Sequence, residues 1–193
     1  MSEPVSGLFK ANLREHLALF ESVASLEAPV ERAATLIAAT LGNGGKLMLC
    51  GNGGSAADCQ HIAAELTGRF MKDRRPLAAL ALTTDTSALT CIANDYCYED
   101  VFARQVTALG ARGDCLIGIS TSGHSKNVIR AVEAARALGM RVIGLLGRDG
   151  GALSGQCEVP IIVPSAITAR IQEAHIFIGH TLCGLVETAL GLA

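Results

Sequence analysis

Apolar residues recur every three or four positions at the start of the chain, at Leu8, Phe9, Leu13, Leu17, Phe20 and Val23. That is the spacing of an amphipathic helix with one apolar stripe. A second helical pattern runs from Val30 to Leu41, with Ala34, Leu36 and Ile37 inside it, and stops at Gly42-Asn43-Gly44-Gly45, a helix-ending cluster. The period then changes. Short apolar runs at Lys46 to Cys50, Leu77 to Leu82, Asp114 to Ser120, Arg141 to Leu146 and Val159 to Val163 read as five strands separated by helical stretches or turns. One helix is predicted from Ala56 to about Phe70 and another from near Asn127. Thr168 to Leu190 closes the chain as a long helix, with Ile171, His175, Ile178, Leu182 and Val186 at helical spacing. Alternating strands and helices predict an α/β three-layer sandwich, a parallel sheet covered on both faces with ligands at the carboxyl ends of its strands.

A chain of 193 residues is long enough for one full core and short for two. The reading is a single domain over 1–193, in which 1–43 is an N-terminal helical hairpin suited to oligomerisation and 44–193 is the α/β core. Hydrophobic residues make up 50% and charged residues 18%, a lean surface that points to apolar area buried between subunits. The net charge is −2, with no basic stretch beyond Arg69 to Arg75. That argues against nucleic acid as a partner, and the short basic run reads as a solvated loop. Seven cysteines lie scattered without a CxxC pair, so no disulfide framework is implied. Met1 to Lys10 lacks a basic start followed by a long apolar stretch, and no segment forms an uninterrupted membrane helix. The expectation is a cytoplasmic protein with no membrane partner.

Candidate chemistry gathers in two turns and on two helices. Ser120-Thr121-Ser122-Gly123-His124-Ser125 joins a strand to a helix start, where hydroxyls, backbone N–H groups and the helix dipole suit a phosphate. Helix capping is the simpler use of such residues, but one capping side chain would suffice. Gly51-Asn52-Gly53-Gly54-Ser55 lets backbone approach a ligand closely. It lacks the GxGxxG spacing and the acidic partner of a dinucleotide site, and it lacks a Walker lysine, so no nucleotide cofactor is expected. His61 and Glu65 share one helix face, and Gln172 and His180 share another with Ile176 between them. An i,i+4 surface pair accounts for the first two taken alone. Together the four could hold one divalent metal, with imidazole and carboxylate suiting zinc, or act without metal as a carboxylate base and an imidazole acid beside a sugar carbonyl.

Cys50-Gly51-Asn52-Gly53-Gly54-Ser55, His61 to Glu65, Ala93-Asn94-Asp95, Ser120 to Ser125 and Arg170-Ile171-Gln172-Glu173 together resemble the sedoheptulose 7-phosphate isomerases of the sugar isomerase (SIS) superfamily, over nearly the whole chain. The resemblance implies a five-stranded parallel sheet of flavodoxin-like order and a homotetramer with active sites at subunit interfaces. It implies conversion of sedoheptulose 7-phosphate to D-glycero-D-manno-heptose 7-phosphate through an enediol, an early step toward ADP-heptose and the lipopolysaccharide core. On that basis Ser120, Thr121, Ser122 and Ser125 hold the phosphate, while Asn52, Gly53, Gly54, Ser55, Asn94, Asp95 and Gln172 contact the sugar. Glu65 and His180 move protons, and His61, Glu65, Gln172 and His180 carry one zinc per subunit. His124 stands where many relatives have asparagine, and Ala169 where some have aspartate, so the preferred sugar could differ. Two other readings share the fold: a tetrameric scaffold that binds the bacterial replication initiator, and a non-catalytic sugar-phosphate sensor. Retention of Glu65 and His180 favours the enzyme.

Overall fold

The computed structural model describes residues 7–193, and the part of the leader-free reading that falls on residues 1–6 lies outside it. Two helices come first, α1 (Leu8–Val23) and α2 (Glu27–Gly42). Five parallel strands follow: β1 (Leu47–Gly51), β2 (Ala79–Ala81), β3 (Cys115–Ser120), β4 (Arg141–Gly147) and β5 (Val159–Val163), in the order β2-β1-β3-β4-β5. Every residue of β1 and β3 is buried, whereas β5 alternates buried and half-buried positions along the sheet edge. The continuous apolar runs of the sequence are thus central strands covered on both faces.

The helices between strands are α3 (Gly54–Thr67), α4 (Thr86–Asp95), α5 (Ala103–Leu109) and α6 (Lys126–Ala137), and α7 (Thr168–Ala189) follows β5. One core joins α2, α3 and α7 to one face of the sheet through Ile37, Ile62, Leu66, Ile171, Ile178 and Leu182. The other joins α5 and α6 to the opposite face through Phe102, Val106, Val128 and Val132. The expected three-layer sandwich with an N-terminal helical pair is what the chain forms. No helix among the described residues is long and apolar enough to cross a membrane.

Three local details differ from the sequence reading. Strand β2 is shorter than Leu77 to Leu82, because it pairs with β1 alone and the Leu77 N–H turns away to donate to the Leu66 carbonyl at the end of α3. Helices α4 and α5 were not delimited by pattern. The first is rich in Thr and Ser and starts from Asp85, whose Oδ1 accepts the Ala88 N–H; the second is only seven residues long. The basic run is not a solvated loop throughout. Arg74 is buried, with its Nε 2.7 Å from Glu187 Oε1 on α7. Its other nitrogens donate to the carbonyls of Glu65, Leu66 and Gly68 at the C-terminus of α3, where helix carbonyls lack intrahelical partners.

His175, fully buried on α7, donates from Nε2 to the Leu146 carbonyl at 3.0 Å and so ties α7 to the carboxyl end of β4. Burial lowers its pKa to about 4, and the ring stays neutral at physiological pH. All seven cysteines are free thiols; burial raises Cys50 and Cys115 to about 12, so they pack rather than react.

Glu187→Ala is expected to lower the unfolding free energy by about 3–5 kcal/mol, since it leaves Arg74 buried and unpaired. Urea denaturation measures this, and a loss below about 1 kcal/mol would show that the pair does not hold α3 to α7.

Candidate active site

The parallel sheet brings two loops to one edge. At the end of β3, Ser120 Oγ and Ser125 Oγ lie 2.9 Å apart, and the Gly123 N–H donates to Ser120 Oγ at 3.1 Å. The His124 N–H donates to Ser122 Oγ at 3.2 Å. Helix α6 begins at the next residue without a side-chain cap from Ser125. The Ser120 and Ser125 hydroxyls therefore face each other across the turn, and at the start of α6 the Val128 N–H is taken up by Asn127 Oδ1 while Ser125 leaves the helix uncapped. Hydroxyls and backbone N–H groups gathered at one turn suit an anion. Gly123 has φ +67°, and a Cβ there would overlap the Gly150 carbonyl; the tight fold of the cradle depends on that missing atom.

The loop after β1 lies beside it. Ser55 is buried at the head of α3, and its N–H donates to the Asn52 carbonyl. A Cβ on Gly54 would lie 2.5 Å from Gln172 Nε2. The Gln172 amide thus rests on the start of α3, next to Asn52, Gly53 and Ser55.

Further along the same pair of helices, His61, Glu65 and His180 converge. His61 Nε2 is 2.9 Å from His180 Nε2 and 3.3 Å from Glu65 Oε1, and the three ligand atoms all lie within 4.8 Å of one another. Ligands of a tetrahedral zinc with bonds near 2.0–2.1 Å stand about 3.3 Å apart, so two imidazoles and a carboxylate at this spacing fit a divalent metal. The Phe70 ring stacks on His180 at 5.7 Å between centroids, and its backbone N–H donates to Glu187.

Residues 12–147 match the SIS domain family. The chain is 57% identical over 176 residues to a phosphoheptose isomerase of Nitratiruptor sp., covering 91% of this chain and 94% of the relative. It is 54% identical over 184 residues to one from Aliarcobacter butzleri, covering 93% and 97%. The chain belongs to the phosphoheptose isomerase family of SIS-domain proteins. The solved phosphoheptose isomerase GmhA of Neisseria gonorrhoeae superimposes with a TM-score of 0.91 at 48% identity, covering 96% of this chain and 100% of that one. A phosphoheptose isomerase from Francisella tularensis gives a TM-score of 0.93 at 37% identity over the same shares.

The site of this family member contains a group that the motifs did not single out. Asp58 lies one turn before His61 on α3; one of its oxygens, Oδ2, is buried without a hydrogen-bond partner. Burial raises its pKa above the ordinary carboxylate value, and the nearby His61 and His180 pull it back down. The only trace of it in the sequence is the i,i+3 spacing to His61. Gln172 sits two helical steps of four before His180, with its amide at Gly54, about two turns from His61 along α3. It stands with the loop rather than with the three clustered ligand atoms. Asn94 and Asp95 lie exposed at the end of α4, where Asn94 Nδ2 and Cys91 Sγ donate to the Asp95 carboxylate and lower its pKa. His124 is exposed at the tip of the cradle.

A large apolar groove lies elsewhere, between Phe20, Val23 and Val30 of the hairpin and Phe177 and Leu185 of α7. Its lining is unsuited to a sugar phosphate. Phe9 and Leu17 are exposed at 79% and 55% on the adjoining hairpin.

Gly54→Ala is expected to push the Gln172 amide aside and lower isomerase kcat/KM by about 10- to 100-fold with the fold intact, since the obstructing atom ends a flexible side chain. The double variant with Gln172→Ala should be no worse than Gln172→Ala alone. Full additivity in steady-state kinetics would show that the two act separately.

Proposed function

We propose that the chain interconverts sedoheptulose 7-phosphate and D-glycero-D-manno-heptose 7-phosphate. The observation that carries the reading is the pairing of a hydroxyl-lined anion cradle with a carboxylate and imidazole cluster, Glu65 beside His61 and His180. Ser120, Thr121, Ser122 and Ser125 hold the phosphate at the open turn of α6. Asn52, Gly53, Gly54, Ser55 and Gln172 line the sugar chain, with Asn94 and Asp95 reaching it from α4. Glu65 takes the proton from C1 while His180 gives one to the C2 carbonyl oxygen, leaving an enediol. Collapse returns the carbon proton to C2 and the O1 proton to His180, so the aldehyde forms at C1 with no net gain or loss of protons.

The family name of the close relatives supports an isomerase, and the readings as an initiator-binding scaffold or a sensor draw no support from them. Helix α3 runs back from the loop edge, so His61 and Glu65 lie about 10 Å and 16 Å along its axis from Gly54. A site shared between protomers brings a cluster of this kind to a cradle, and a homotetramer that covers the groove and the exposed hairpin stripe supplies the partner. A zinc ion held by His61, Glu65 and His180 would act when bound as a Lewis acid on the ketose oxygens; Gln172, whose amide stands at Gly54, would complete the ligand set only from a neighbouring protomer. Asp58 would orient a histidine ligand from behind.

Glu65→Gln should abolish turnover and retain binding of the sugar phosphate, because the shape stays and the base goes. Turnover by rapid-quench assay, with binding by calorimetry, decides it; retained turnover would remove Glu65 from its role. Dialysis against a chelator should release about one zinc per subunit by elemental analysis, and His61→Ala should contain none after the same purification. Stoichiometric zinc in His61→Ala would place the metal elsewhere.

A further inference from the structure

The Asn52 side chain is held from two sides. Its Nδ2 donates to Asn127 Oδ1 at 2.9 Å, and its Oδ1 accepts from Asn127 Nδ2 at 2.8 Å. Taken alone, such a reciprocal amide pair is equally good with both groups flipped. Here a flip is ruled out, because Asn127 Oδ1 also accepts the Val128 backbone N–H at 3.0 Å, and a backbone N–H can only donate. Asn127 is therefore fixed by the backbone of α6, and Asn52 is fixed by Asn127.

The Tyr98 hydroxyl then reads that polarity. Its oxygen lies 3.1 Å from Asn52 Oδ1, an atom that can only accept, so the phenol must donate there. Among the described residues no other hydrogen bond engages the Tyr98 hydroxyl, so its lone pairs stay free. Tyr98 is 60% exposed and belongs to the short turn Tyr98–Asp100, which is moored to α6: Glu99 pairs with Lys126 and Arg130, and Asp100 with Arg130, at 2.7–2.9 Å. The turn that carries the tyrosine is thus tied to the same helix that fixes Asn52.

We propose that Tyr98 is a specificity-determining contact for the ketose chain, oriented by the relay from Val128 N–H through Asn127 and Asn52. Asn52 keeps one N–H free and Tyr98 offers only an acceptor, so the two present a donor and an acceptor side by side. A sugar hydroxyl, which is both, matches that pair; a carbonyl matches half of it and a methylene none. This rests on the reading of Asn52 as a sugar contact.

The test is steady-state kinetics of the wild type and Tyr98→Phe with sedoheptulose 7-phosphate, together with competitive inhibition by inorganic phosphate. Phenylalanine keeps the ring and removes only the hydroxyl. The expected result is a KM raised about three- to tenfold, kcat within twofold, and unchanged phosphate inhibition and thermal unfolding midpoint. An unchanged KM would overturn the assignment while leaving the isomerase reading standing, and an equal rise in the phosphate inhibition constant would show a displaced loop instead of a lost contact. Absence of turnover in the wild type would overturn the isomerase reading and this proposal with it.

Discussion

The parallel packing of α3 against α7 is the constraint on which the site depends. Gly179 lets Ile62 approach to where a Cβ would stand 2.6 Å from its Cδ1, and Gly54 does the same for Gln172 one level nearer the loop. At the far end the buried Arg74 and Glu187 pair joins the same two helices. With both ends set, equivalent positions along the helices face each other, and His61 and Glu65 meet His180. A small shift of one helix along the other would separate the imidazoles. The ion pair contributes register as much as stability, because a buried charge tolerates only a narrow set of positions for its partner.

The loop edge is organised by a different principle. The Ser120 and Ser125 hydroxyls are paired with each other and Ser125 does not cap α6, so on the proposed reading a phosphate would take over hydroxyls already gathered at one turn. Asn52, Asn127 and Tyr98 extend the same economy to the sugar: each amide orientation is determined by a neighbour whose own polarity cannot change. The proposed anion site beside the polarity-fixed Asn52 and Tyr98 would suit a substrate with a phosphate at one end and a run of hydroxyls along the chain.

The features legible in the sequence were local ones. Helix periods, the five apolar runs and the two Gly/Ser turns follow from residues close together in the chain, and the strand order follows from the family those turns resemble. The groups that escaped notice depend on contacts across the fold. Arg74 looked solvated because its partner Glu187 lies 113 residues away. Tyr98 carried no motif, since its meaning comes from Asn52, 46 residues earlier. Asp58 reads as an ordinary helix carboxylate until the fold brings His180 of α7 near it. Gln172 and His180 share a helical stripe, but their positions against α3 place the amide at the loop and the imidazole at the cluster.

Proton transfer by Glu65 and His180 on a ketose phosphate seated in the proposed cradle is read most directly by an NMR time course of the purified protein with sedoheptulose 7-phosphate in deuterated buffer. A heptose 7-phosphate with deuterium at C2, the carbon that receives the exchanged proton, is the expected product. Unchanged ketose signals from folded, metal-replete protein would contradict it.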